Sequence, residues 1–240
     1  MKVASIEHFR PLANRVLVKI DKRFTNSIRL TDECDLIIDT SFEPEKHTTT
    51  YGTVIALPSA LTYGSEQHHM PWKTSIETKV GDTVYFTWDA VVVAFGKTNP
   101  GVVQVEGDDS IYVIMKYQQL TLAVRDPFII MLNGYCLIEE IKVSDLPSSL
   151  KDKNLLSSLS APSTVTHKVS AKFGRVIAVG LCNQAYDGDK HFDDDSVQAG
   201  QLVQFESFAN IPIQYGLHAD LLGNKVLYKI QRRHLIAIIE

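Results

Sequence analysis

The chain carries one strand pattern twice, and this repeat restricts its possible folds more than any other feature. Tyr51-Gly52-Thr53-Val54-Ile55-Ala56-Leu57 returns as Phe173-Gly174-Arg175-Val176-Ile177-Ala178-Val179. Lys79-Val80-Gly81-Asp82-Thr83-Val84-Tyr85-Phe86 returns as Gln198-Ala199-Gly200-Gln201-Leu202-Val203-Gln204-Phe205, and Leu122-Ala123-Val124 as Ile236-Ala237-Ile238. The order is kept and the offsets stay between 114 and 122 residues. Three matches in order predict a duplicated domain, with units at 1–126 and 127–240 and a boundary near Asp126-Pro127. The 240 residues are enough for a core in each half.

The repeated elements read as strands. Val16–Ile20, Val84–Trp88, Ile111–Met115 and Val226–Ile230 are short and rich in β-branched and aromatic residues. Turn residues separate them, as at Gly81-Asp82, Asn99-Pro100-Gly101, Gly107-Asp108-Asp109 and Gly223-Asn224. No long stretch has a clear helical period; Leu146–Leu159, bracketed by Pro147 and Pro162, reads as loop with at most a short helix. The expected class is all-β, small antiparallel barrels or sandwiches. Two long polar segments, about 21–50 and about 143–172, follow the first strand of each repeat. Loops of that length are usually functional or disordered.

Charge and cysteine content exclude several classes. Residues 1–126 hold 13 Lys+Arg against 16 Asp+Glu, and residues 127–240 hold 11 against 12, so neither half offers a basic face to nucleic acid. Three cysteines, Cys34, Cys136 and Cys182, make no disulfide framework and fit a reducing compartment. No Cys/His set has zinc spacing. Met1–His8 has no apolar core of a secretory signal, and the longest apolar runs, such as Ala90–Phe95, fall far short of the roughly 20 residues of a membrane helix. A cytoplasmic location without membrane contact is expected.

Four short matches to chemical motifs fail on their own requirements. Val91–Thr98 ends like a Walker A motif, but Val91 occupies the position where a glycine must let backbone amides wrap phosphate; it reads as a strand and turn. Asp187–Asp195 suggests a calcium loop, yet Phe192 and Gln198 stand where Gly and a bidentate Glu are needed. His68-His69 lacks a third ligand nearby, and Arg232-Arg233-His234 reads as a solvated edge or subunit contact. No catalytic residues, metal or cofactor are expected, and the chain is expected not to be an enzyme.

Arg10-Pro11-Leu12-Ala13-Asn14-Arg15-Val16-Leu17-Val18-Lys19 resembles the first strand of the co-chaperonin (chaperonin-10) family, the GroES-like rings that cap GroEL-type chaperonins. The family's Gly-x-Val-x-Ala-Val strand is matched by Gly52–Leu57, its Lys-Val-Gly-Asp-x-Val-x-Phe segment by Lys79–Phe86, and its final strand by Leu235–Glu240. The second repeat matches more weakly, with Asn133–Ile138 in place of the first strand. The resemblance implies two tandem GroES-like barrels, each with a long mobile loop presenting an apolar triplet to the chaperonin. Leu36-Ile37-Ile38, set among Asp32, Glu33, Asp35, Asp39, Glu43 and Glu45, looks like that triplet and is similar to the phage-encoded form. Ile28 and Leu30 are the second choice; in the second repeat Leu155-Leu156 is the nearest counterpart and lacks a third apolar neighbour.

The implied function is to cap a GroEL-type chaperonin and assist ATP-dependent folding, the partner binding the ATP; if phage-encoded, this happens in the host cytoplasm. Ordering a loop costs about 1–2 kcal/mol per residue, and burying three aliphatic side chains returns roughly 1.5–3 kcal/mol each. One loop therefore binds weakly and a ring of loops firmly, so self-association into a ring is expected. Single-domain members use an odd-numbered ring, which whole tandem chains do not fill. The alternative is a structural or adaptor protein, for example virion-associated, that keeps the barrel without the chaperonin contact. Medium-chain alcohol dehydrogenases share this barrel type, but the chain has no Gly-x-Gly-x-x-Gly.

Overall fold

The computed structural model describes residues 2–24, 27–31, 34–37, 47–64, 70–96, 101–148, 150, 169–185, 196–206, 211–212 and 225–239. They are mostly β-strand and divide into two units, Met1–Leu132 and Asn133–Glu240, with Ala185–Gly188 grouped with the first. The first unit contains β1 (Lys2–Val3), β2 (Arg15–Ile20), β3 (Ser27–Thr31), β4 (Cys34–Ile37), β5 (Tyr51–Ala56), β6 (Trp72–Lys73), β7 (Thr83–Phe86), β8 (Val102–Val105), β9 (Ile111–Lys116), β10 (Leu120–Arg125) and β11 (Phe128–Met131). Then follow β12 (Tyr135–Lys142), β13 (Val169–Val179), β14 (Gln184–Ala185), β15 (Leu202–Phe205), β16 (Ile211–Pro212), β17 (Leu227–Gln231) and β18 (Leu235–Ile239).

The first unit's main sheet runs β1-β8-β9-β2-β5-β7-β10-β11, and the second unit's runs β16-β17-β12-β13-β15-β18. Removing the two outermost strands of the first leaves β8-β9-β2-β5-β7-β10, whose chain order matches the second strand for strand. Every pairing in both sets is antiparallel. Even the irregularities repeat. A register shift falls between Leu17 and Val18 on β2 and between Leu137 and Ile138 on β12. Phe86 pairs with Leu120 before a shift in one sheet, and Phe205 with Leu235 in the other. Register equates Leu122 with Ala237, Ala123 with Ile238 and Val124 with Ile239. The sequence match had set these one residue lower, because it aligned Ala123 with Ala237 by residue type, whereas the ladder aligns Ala123 with Ile238.

The turns repeat at atomic detail. Gly81 and Gly200 both have φ +92°, a conformation a side chain rarely adopts. Gly81 N–H donates to Val54 O (2.9 Å) and Gly200 N–H to Val176 O (2.7 Å). Asp82 Oδ2 accepts Lys79 N–H, and Gln201 Oε1 accepts Gln198 N–H, both at 2.7 Å. The 3-10 turns Tyr117–Gln119 and Arg232–His234 lead into the last strands in the same way.

Val16, Leu17 and Val18 are all fully buried, so β2 is covered on both faces. One cover is the N-terminal segment, whose Val3, Ile6 and Phe9 pack against Leu17, Val103 and Tyr112. The second unit has its own core of Cys136, Ile138, Val176, Val203, Phe205, Tyr228 and Ile230.

Three expectations are corrected. Neither main sheet closes into a barrel among the described residues, because β1 and β11 extend the first sheet outward and do not pair with each other. The two units divide between Leu132 and Asn133, since β11 turns back to pair with β10. Trp88–Ala94, read as the end of one strand and the start of another, is an α-helix. Its three adjacent valines suggest a strand, but Ala90, Val91 and Ala94 bury one helical face. Finally, the segment 21–50 contains the hairpin β3–β4, and β13 begins at Val169, inside the expected second loop.

Candidate partner-binding site

The long insertion between β2 and β5 is tied at its root. Thr49 N–H donates to Arg23 O (3.0 Å), Thr49 Oγ1 donates to Lys22 O (2.6 Å), and Phe24 forms an isolated bridge with Thr48. Outgoing and returning chains therefore leave the sheet side by side. Beyond the root, β3 and β4 pair antiparallel with Ser27 opposite Ile37, Ile28 opposite Leu36, Arg29 opposite Asp35 and Thr31 opposite Cys34.

This register brings together what the sequence offered as rivals. Leu36 and Ile37 lie on β4, Ile28 and Leu30 on β3, and Ile28 faces Leu36 across the ladder. Ile38 lies outside the described residues, as do Leu155 and Leu156. His68-His69, Asp187–Asp195 and the Lys97-Thr98 end of the Walker-like match also lie outside them.

A second candidate surface is the last strand. In the first unit the outer edge of β10 is taken by β11, with Leu122 opposite Met131, Ala123 opposite Ile130, Val124 opposite Ile129 and Arg125 opposite Phe128. Among the described residues β18 pairs with β15 alone. Its other edge carries no pairing strand among those residues and so can serve as a template for another strand. Ala13 and Asn133 share φ 54° and occupy matching positions before β2 and β12. Counting back from them, β11 in the second repeat occupies the place of His8–Pro11 in the first.

Charged groups in the first unit are engaged in holding the fold. Arg125 grips Asp82 with two bonds, Nε to Oδ1 at 2.9 Å and Nη2 to Oδ2 at 2.8 Å. Burial works to raise the Asp82 carboxyl, and the bonds from Arg125, Lys79 N–H and Thr78 outweigh it, leaving Asp82 below the usual carboxylate range. Asp108 is lowered to about 2 by bonds from Ser110 and Tyr112. It lies in an open cleft of about 470 Å³ with Lys2, Glu106 and Asp109. Burial pushes the Tyr85 hydroxyl up to about 12. No set of three or more His, Cys, Asp or Glu among the described residues is arranged to hold a metal. Among those residues, no helix is long and apolar enough to cross a membrane.

No protein-family model matches the chain, and no curated protein matches it. Sequence reasoning missed β11 and the open edge of β18, because pairing partners are not written in local sequence. The match of Asn133–Ile138 to the first strand is the sequence signal from which β11 could have been set against the segment before β2.

Proposed function

We propose that the chain is a tandem co-chaperonin of the GroES-like kind, two related β-units that self-associate into a ring and cap a GroEL-type chaperonin. The observation that carries this reading is the hairpin β3–β4. It is inserted after the first strand of the repeated sheet, on a tied root, and sets Ile28 opposite Leu36. An apolar pair on an inserted hairpin suits a partner with an apolar groove. Binding by several such hairpins at once makes weak contacts firm while leaving each one reversible.

The open edge of β18 supports the ring. If the pairing of β10 with β11 is repeated between molecules, β18 takes His8–Pro11 of a second copy. Ala237 then pairs with Pro11, Ile238 with Arg10 and Ile239 with Phe9, by the register of the first unit. Such a head-to-tail contact closes into a ring when its rotation permits. The chaperonin supplies ATP hydrolysis, and this chain supplies the lid.

The test is co-sedimentation with a GroEL-type chaperonin in the presence of ATP or ADP. A nucleotide-dependent complex that Leu36→Asp abolishes supports the proposal. A wild-type protein that self-associates but never joins the chaperonin instead supports the adaptor role.

A further inference from the structure

Arg23 stands at the root of the hairpin insertion in an arrangement that the capping role does not by itself require. Its guanidinium carbon lies 4.6 Å from the centre of the Phe24 ring and 4.5 Å from that of Phe95. The side chain is thus stacked between two aromatic rings. Its Nε is buried and makes no hydrogen bond to the described residues. An Nε that has given up water there without a hydrogen bond leaves the two rings as the contacts that hold this part of the guanidinium.

Each ring belongs to a different part of the unit. Phe24 leads into the insertion and bridges to Thr48 on the returning side. Phe95 caps the C-terminus of the helix Trp88–Ala94, its N–H bonded to Val91 O at 3.1 Å. The helix is fixed to the sheet in turn. Gly101 N–H donates to Ala94 O at 2.8 Å, and Ile114 N–H on β9 donates to Gly101 O at 2.6 Å. A continuous set of contacts therefore runs from β9 through Gly101, the helix and Phe95 to Arg23, and from Arg23 to both strands of the root. By register the second repeat has Val143 where the first has Arg23, and it has no such stack among its described residues.

We propose that Arg23 is a positioning residue for partner binding, clamped by Phe24 and Phe95 so that the root of the insertion is set before the partner arrives. This rests on the reading that the insertion contacts a chaperonin. A preset root lowers the ordering cost of binding, and its loss weakens affinity without touching the contact residues. The clamp needs a flat cation, so a lysine does not replace it. Among the described residues it makes the two repeats unequal, with only the first insertion held in this way.

The test uses the full chain with Arg23→Met, Arg23→Lys and Phe95→Leu. Amide hydrogen exchange at Thr49, whose N–H is bonded to Arg23 O, reports the root in the isolated protein. Chaperonin affinity with ADP reports the function. The expected result is a fall in Thr49 protection and in affinity of about tenfold each, shared by Arg23→Met and Phe95→Leu and not rescued by Arg23→Lys. Protection of Val18 and Val113 in the central strands should stay unchanged, which separates positioning from unfolding. Unchanged Thr49 protection in both Arg23→Met and Phe95→Leu overturns the clamp, and lowered protection with undiminished affinity overturns its positioning role. If wild type binds no chaperonin but Thr49 protection still falls in the variants, the capping role fails and the clamp stands.

Discussion

Gly52 on β5 lies directly against the Lys19 carbonyl on β2, leaving no room for a side chain: a Cβ there would also come within 2.7 Å of Val18 Cγ1. Gly174 on β13 is held in the same way by Ile138 Cγ2 and, at 2.8 Å, by Glu139 O. Repeat by repeat, one close approach is built from equivalent residues. Gly52→Ala and Gly174→Ala should each destabilise by about 1–3 kcal/mol, since backbone must shift to admit the methyl group. Urea unfolding of the two single variants checks this; a neutral result for either contradicts the packing described.

The Arg125–Asp82 pair gives a pH-dependent prediction. Asp82 is lowered in the folded state from an ordinary value of 3.8. Its contribution is therefore fully present above that value and is lost as pH falls through the lowered one. In Arg125→Met the carboxylate keeps its burial and loses its cation. The variant should lose about 1–3 kcal/mol at neutral pH, and the deficit should shrink below about pH 4 as Asp82 protonates. Thermal midpoints of wild type and variant between neutral pH and pH 3 measure it. A constant difference across that range contradicts the account.

The intermolecular register can be trapped chemically. Opposed residues of an antiparallel pair have Cα atoms about 4.5–5.5 Å apart, within the span of a disulfide. Arg10→Cys with Ile238→Cys should yield covalent oligomers on mild oxidation, while either single variant and the pair Arg10→Cys with Lys225→Cys should not. Non-reducing electrophoresis reads the outcome. Equal cross-linking by the Arg10→Cys and Lys225→Cys pair, whose second position lies outside β18, means that β18 does not receive His8–Pro11.

Much of the scaffold was legible in the sequence because it is local and repeated. Glycines with positive φ, β-branched strands and the Lys-Val-Gly-Asp turn each sit where backbone geometry demands them. The helix Trp88–Ala94 was not legible. Its three valines carry a strand preference that burial of Ala90, Val91 and Ala94 overrides. The hairpin β3–β4 was hidden for another reason. Which segments pair is not written in local sequence, so two apolar segments that pair with each other looked like competing candidates. Arg23 was invisible because its two aromatic partners, Phe24 and Phe95, are far apart in the chain. The open edge of β18 could be recognised only after the covered edge of β10 had been seen.

The central claim is that the chain caps a chaperonin through the insertion between β2 and β5. The most direct measurement is electron microscopy of the protein mixed with a GroEL-type chaperonin and ADP. The account predicts cylinders closed at one or both ends by a ring-shaped cap, joined to the chaperonin by density at the position of residues 27–37, and bare cylinders with Leu36→Asp. Bare cylinders with the wild-type protein, or a cap whose contacts arise elsewhere on the chain, would contradict it.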